Sequence, residues 1–231
     1  MCIRDSQETG VIEGISAIPY IHGFSWYEAL SHHKLPVHLE NDANCVGLSE
    51  LLAHPEIENA ACVVIGTGIG GAMIINGKLH RGRHGLGGEF GYMTTIEPAE
   101  KLNNWSQLAS TGNMVRYVIE KSGQSDWDGR KVYQEAAAGN ALCQEAIERM
   151  NRNLAQGLLN IQYLIDPDVI SLGGSISQNP DFIKGVQKAV DIFVERYEEY
   201  TIAPVIQACT YQADANLYGA LVNWLQEENQ W

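Results

Sequence analysis

The sequence predicts an α/β protein in which helices are layered on a sheet. Two observations carry this. In the C-terminal half, amphipathic helical stripes alternate with short apolar strands, and in the middle two apolar strands meet at a glycine-rich hairpin. Composition agrees: the 231 residues are 45% apolar and 19% charged, a balance that excludes wholesale disorder. Such a length suits one large domain or two modest lobes.

Each element has its own signal. The opening hexapeptide Met1 to Ser6 matches no capping or strand pattern, whereas Gln7 to Ile12 reads as a turn entering a strand in mid-domain. The hexapeptide is therefore expected to be a foreign junction, and the chain to begin inside a larger protein. Leu35 to Leu39, around Pro36, reads as a strand, and Asn41 or Asp42 caps a helix from Ala43 to Ala53. Ala60 to Ile65 is a buried strand. After the glycines 66 to 71, Ala72 to Ile75 is a second strand, and Asn76-Gly77 turns the chain back through Lys78 to His80. Leu142, Ile147, Met150, Leu154, Leu158, Ile161 and Ile165 form the stripe of a long helix ending before Pro167. Val169 to Leu172 is a strand that ends at Gly173-Gly174. Phe182, Val186, Val190, Phe193 and Tyr197 mark another helix, and Pro204 to Ala208 another strand. Asp214 caps a terminal helix whose stripe is Leu217, Leu221 and Trp224.

Charge and cysteine usage exclude several classes of function. With 15 Lys+Arg against 28 Asp+Glu, the net charge is −13, which argues against nucleic-acid and anionic-membrane partners. It leaves room for a local phosphate site built from backbone N–H groups. No run approaches the ~20 apolar residues of a membrane span, and no signal-peptide progression is present. Cys2, Cys45, Cys62, Cys143 and Cys209 are odd in number and scattered, as in reduced thiols of a cytoplasmic protein.

Gly66, Gly68 and Gly71 satisfy G-x-G-x-x-G, but a dinucleotide site needs a helix after the loop and a strand follows here. A Walker loop is excluded as well, because no Lys-Ser/Thr follows. Two readings remain. In one, glycines bring the backbone close to a phosphate and adopt φ > 0, with Thr67 adding a hydroxyl. In the other, a tight hairpin needs glycine for geometry alone. Asp42, at a strand-to-helix corner between Asn41 and Asn44, is similarly double: a general base for a bound hydroxyl, with Asn41 orienting the ligand, or a helix cap.

Taken together, Glu40-Asn41-Asp42-Ala43-Asn44, the glycines 66 to 71, Gly87-Gly88-Glu89-Phe90-Gly91-Tyr92, Leu172-Gly173-Gly174 and Asp214 to Ala220 resemble the ROK family of repressors and sugar kinases. The resemblance runs from Thr9 onward. It implies an actin/hexokinase-like (ribonuclease H-like) fold of two lobes, the first incomplete: residues 1–53 with 213–231 returning to it, and residues 54–212. It also implies transfer of the ATP γ-phosphoryl group to a sugar hydroxyl, with Mg²⁺. Asp42 would take the proton from the 6-hydroxyl, Asn41 and Glu89 would hold ring hydroxyls, and Tyr92 and Ser106 would complete the sugar site. Thr67 with Gly66, Gly68, Gly70 and Gly71 would hold ATP phosphates, and Gly173 and Gly174 would lie beside the nucleotide.

Three departures from the family pattern matter. The family's zinc histidine is Tyr92 here, and no cysteine lies between Cys62 and Cys143, so no structural zinc is expected. The segment Asn103 to Leu108 would brace the loop instead, through packing of Trp105. A glutamate that contacts the sugar near its anomeric end is Ser106, which opens space for a glycoside's second group. With Glu-Phe-Gly-Tyr and the Trp-Ser-x-Leu-Ala-Ser-Thr-Gly run, this resembles the β-glucoside kinase and glucokinase-like branch; Trp26, Tyr27 and Trp105 are candidate sugar platforms or core residues. The third departure is that the family's first phosphate loop, Asp-x-Gly-Gly-Thr, is absent from the sequence, so the chain is expected to be a fragment of a kinase with weak turnover. The resemblance also implies self-association. The alternative within the family is a sugar-sensing repressor; the retained Asp42 and glycine loop favour the enzyme.

Overall fold

Period-two burial in one strand organises the structure. In the computed structural model, which describes residues 3–5, 8–14, 18–95, 103–196 and 202–230, that strand is Ala60–Ile65. Its residues Ala61, Val63 and Ile65 join one hydrophobic cluster, while Ala60 and Cys62 join clusters on the opposite face. Successive side chains of a strand point to opposite faces, so a strand covered on both sides reads as the unbroken apolar run seen here.

In chain order the elements are β1 (Ile3–Asp5), β2 (Ile12–Gly14), α1 (Trp26–Leu30), α2 (Asp42–Ala53), β3 (Ala60–Ile65), β4 (Ile69–Ile75), β5 (Lys78–Leu79), β6 (Thr94–Thr95), β7 (Asn103–Asn104), α3 (Trp105–Ala109), α4 (Thr111–Ser122), α5 (Gly129–Ala137), α6 (Ala141–Ile165), β8 (Val169–Gly173), α7 (Pro180–Arg196), β9 (Ile206–Ala208) and α8 (Ala215–Glu227). The main sheet has the order β5-β4-β3-β8-β9. β4 runs antiparallel to β3, whereas β8 is parallel to both β3 and β9. One face carries α2 and α8, through Val46, Leu48, Leu51, Ala215 and Val222. The other carries the larger cluster, with α3 to α7 contributing Trp105, Met114, Val132, Leu154, Leu158 and Phe182. Thus α2 and α8, expected in a first lobe, pack face to face with strands expected in the second.

Local chemistry accounts for several boundaries. Asn76 (φ 52°) and Gly77 (φ 68°) form the expected left-handed turn between β4 and β5. Asn140 caps α6 by accepting from the Leu142 and Cys143 amides, and Asp166 ends it at φ 49°, just before Pro167. The expected strands at 60–65, 169–172 and 204–208 are present, the last shortened to Ile206–Ala208. Cys45, Cys62, Cys143 and Cys209 are buried and take part in no disulfide. Cys2 and Tyr197 lie outside the described residues.

Four expectations are corrected. Ile3–Asp5 does pair with Ile12–Gly14, in a ribbon too short for its pattern to be read from sequence. Leu35 to Leu39 is not a strand; Pro36 offers no N–H to a ladder, and the segment is tied to α8 by Trp224 Nε1 donating to the Pro36 carbonyl (3.1 Å). In α8 the buried face is Ala215, Gly219 and Val222, while Leu217 and Leu221 are 72% and 52% exposed. The reason is close approach: a Cβ on Gly219 would collide with the Cys45 carbonyl of α2, so only small residues fit between these helices. Asp214 occupies the position before α8 without a capping bond from its side chain.

Trp105 is fully buried, donates from Nε1 to the Asn153 carbonyl (2.8 Å) and lies flat over Gly157 of α6, so it packs in the core and offers no platform to a sugar. Trp105→Ala should destabilise the protein by about 3–5 kcal/mol, the cost of emptying so large a site. Denaturant unfolding checks it, and a loss below about 1 kcal/mol would remove Trp105 from the role of brace.

Candidate active site

The corner before α2 is fixed by a buried acid. The Glu40 side chain, 5% exposed, accepts from the Asn41 amide (2.9 Å) and Asn44 Nδ2 (2.8 Å), and pairs with Arg81 (Nε 2.7 Å, Nη2 2.6 Å). Arg81 also donates to Asn223 Oδ1 of α8 (3.2 Å). A planar guanidinium that meets a carboxylate in this way fixes direction as well as distance. The Asn41 side-chain oxygen is spent on the helix cap, accepting from the Ala43 (2.9 Å) and Asn44 (3.1 Å) amides. Asp42 is exposed, and one of its oxygens accepts from the Ala43 amide (2.9 Å).

That corner abuts the strand leaving the glycine hairpin: a Cβ on Gly70 would stand 3.3 Å from Ala43 Cβ. The hairpin is tighter than its sequence implies. Ile65 and Ile69 are paired, so the tip is Gly66-Thr67-Gly68, with the Gly66 amide donating to the Gly68 carbonyl (2.9 Å), and Gly70 and Gly71 belong to β4. None of Gly66, Gly68, Gly70 and Gly71 has φ > 0, contrary to expectation; what glycine provides here is room. No described atom lies within 4 Å of a Cβ placed on Gly66, whereas a Cβ on Gly71 would strike the Phe90 ring. The Gly112 amide donates to the Gly66 carbonyl (3.1 Å), which brings the N-terminal turn of α4, capped by Ser110, against the tip.

Glu89 sits where Gly88 (φ 88°) folds the chain onto β4, a conformation and a close approach that only glycine permits. The Phe90–Tyr92 turn follows it. Among the described residues the buried Glu89 Oε2 has no hydrogen-bond partner. Burial pushes the Glu89 carboxyl above its ordinary value and the nearby Asp42 charge adds to the rise. Tyr92, 52% exposed, closes the same turn. The Ser106 hydroxyl accepts from the Ile69 amide (2.7 Å) and donates to the Ile69 carbonyl (3.2 Å), which ties this residue to the hairpin.

Beyond β8, Gly174 (φ 89°) lies so close to the Ile65 carbonyl that a Cβ would overlap it. The chain then borders a cavity of about 660 Å³ lined by Thr111, Asp128, Tyr133, Ser175 and Asn179, among others. Thr111 Oγ1 and the Tyr133 hydroxyl are buried without a partner among the described residues, and burial raises the tyrosine's pKa. Buried polar groups ordinarily find partners, and these two hydroxyls and Glu89 Oε2 have none among the described residues, as is true of Arg149 Nε and Asn151 Oδ1 on other parts of the chain. Glu40 and Thr111 lie inside motifs that carry the family resemblance, but the Glu40–Arg81–Asn223 network was not legible in them, because it joins residues distant in the chain. Among the described residues, no group of three or more His, Cys, Asp or Glu gathers as a metal site, and no helix is long and apolar enough to cross a membrane.

The chain is similar to known proteins in sequence and fold. A β-glucoside kinase of Listeria monocytogenes is 34% identical over 96% of this chain and 76% of its own length. A crystal structure of a ROK family protein from Streptococcus pneumoniae in complex with sucrose is 89% identical, with a TM-score of 0.93 over 98% of this chain and 78% of that one. A ROK family glucokinase from Streptomyces griseus, in complex with glucose and AMPPNP, is 26% identical with a TM-score of 0.71, over 84% of this chain and 69% of that one. The sequence profile of the ROK family matches residues 25–227, and the chain belongs to that family, with the actin/hexokinase-like fold of its sugar kinases.

Proposed function

We propose that the protein transfers the γ-phosphoryl group of ATP to a hydroxyl, the 6-hydroxyl, of a hexose or β-glucoside. The observation that carries this is the junction at Ala43 and Gly70: it sets the Asp42 corner directly against the strand that leaves the glycine tip, with the unpartnered Glu89 carboxylate within electrostatic reach. A base, a sugar-hydroxyl acceptor and an open backbone loop are then neighbours. The β-glucoside kinase and glucokinase relatives, and the sucrose in the 89% identical structure, support a sugar acceptor with room for a second ring.

In the proposed reaction the sugar oxygen attacks the γ-phosphorus as its proton passes to the Asp42 carboxylate. The new O–P bond forms while the bond to the β-phosphate bridging oxygen breaks and ADP departs. Asn41 and Glu89 orient ring hydroxyls, and the backbone and hydroxyl of Thr67 with Gly66 and Gly68 steady the phosphates. The nucleoside belongs in the 660 Å³ cavity past Gly173 and Gly174, where Thr111 and Tyr133 offer free hydroxyls. Mg²⁺ bound to the triphosphate supplies charge neutralisation, as expected for an ion that needs few protein ligands. Buried cysteines in no disulfide fit a cytoplasmic setting, and self-association is part of the same proposal.

A coupled assay of the full reading frame against glucose, cellobiose, gentiobiose and N-acetylmannosamine tests the reaction. Asp42→Asn should lower kcat by about 10²-fold or more while leaving the sugar KM within about threefold, since general bases contribute on that order; an unchanged rate would remove Asp42 as the base. Glu89 gives a test in stability. Its carboxyl titrates above its unfolded value of 4.5, so the folded state binds more protons than the unfolded one and loses stability as pH rises from that value through the raised one. The stability of wild type relative to Glu89→Gln should therefore fall across that window in urea titrations, and a difference independent of pH would contradict the burial of this carboxyl.

A further inference from the structure

We propose that Ser106 is a positioning residue that couples sugar binding to the conformation of the phosphate hairpin. The inference rests on the kinase reading and adds a route of communication to it. The Ser106 hydroxyl uses both its functions on one residue, accepting from the Ile69 amide (2.7 Å) and donating to the Ile69 carbonyl (3.2 Å). It thus takes the place of a neighbouring strand at the outer edge of the hairpin, whose inner edge is β3. A Cβ on Gly68, in the tip itself, would stand 3.5 Å from the same oxygen. The second contact is with the sugar loop. Gly91, two residues after Glu89, lies so close to the Ile69 carbonyl and Ser106 Oγ that a Cβ there would overlap both.

One hydroxyl is therefore the meeting point of the tip at 66–68 and the turn at 89–92. A ligand hydroxyl that pairs with Glu89 Oε2 orders this turn, and through Gly91 and Ser106 the order reaches the Ile69 amide and the tip. The Ser106 hydroxyl spends its one proton and one of its two lone pairs on this bridge, so its service is transmission between the two halves of the site. Linkage requires that the effect be reciprocal, with nucleotide strengthening sugar binding by the same factor.

Calorimetric titration of a non-hydrolysable ATP analogue, with and without saturating cellobiose or glucose, reads the coupling directly. In wild type the sugar should tighten analogue binding at least about fivefold, the lower end of ordinary coupling. In Ser106→Ala, with its thermal transition measured alongside, the ratio should fall to within twofold of unity while each ligand still binds alone. Hydrogen exchange of wild type supplies a second measurement that needs no variant: the Ile69 amide should exchange more slowly when sugar alone is added. A ratio unchanged in Ser106→Ala, a loss confined to sugar affinity, no synergy in wild type, or an Ile69 amide indifferent to sugar would each overturn the coupling and leave the kinase reading standing. A wild-type protein that bound neither sugar nor analogue would overturn both.

Discussion

The arrangement depends on one buried acid. Glu40 is nearly inaccessible to solvent, and such a charge is tolerated only because Arg81, Asn44 and the Asn41 amide satisfy it. These partners come from the start of α2 and the segment after β5, and Asn223 of α8 extends the network through Arg81. A carboxylate held from so many directions cannot turn without stranding a charge. The corner that presents Asp42 is consequently fixed to the end of the sheet, and the exposed side chain next to this anchor keeps its freedom to meet a ligand. The Asp42 corner is thus set by a neighbour whose own side chain is held away from solvent.

Glycine serves a different purpose on the other side of the site. In the hairpin the four glycines at 66, 68, 70 and 71 keep ordinary backbone angles, and their lack of a side chain lets Ala43, Phe90 and Ser106 approach. At Gly88 and Gly174 the conformation itself demands glycine, with φ of 88° and 89°. The distinction is physical: the first group lets the Ala43 corner, the Phe90 turn and Ser106 close on the hairpin, and the second turns the chain where a side chain would be strained. Helix α4 then closes the arrangement by presenting its amide-rich end to the tip, where an anion is favoured.

Much of this was legible in the sequence where burial is complete or a turn has strict chemistry. β3, β8, α6 and the Asn76-Gly77 turn follow from continuous apolar runs, a long stripe and residues that tolerate φ > 0. The short helices α3 to α5 were not, since each buries only two or three residues and its caps, Asn104, Ser110 and Asp128, are common loop residues as well. The α8 stripe misled because size was taken for burial, while the real interface selects smallness at Gly219. In the site, Asp42, Glu89 and the glycines stood out as types suited to the chemistry. The pairings of Glu40 with Arg81 and of Ser106 with Ile69 were not legible, because each exists only once residues some forty positions apart are brought together.

In the proposed reaction the acid at 42, the carboxylate at 89 and the hairpin tip at 66–68 serve one sugar and one triphosphate. A crystal structure with cellobiose and a non-hydrolysable ATP analogue should then show the acceptor hydroxyl at about 2.6–3.2 Å from an Asp42 oxygen, the range for proton transfer, a ring hydroxyl on Glu89 Oε2, and the terminal phosphate at the Gly66 to Gly68 backbone. Sugar bound away from Asp42, or phosphates resting elsewhere than on the hairpin, would contradict that reaction.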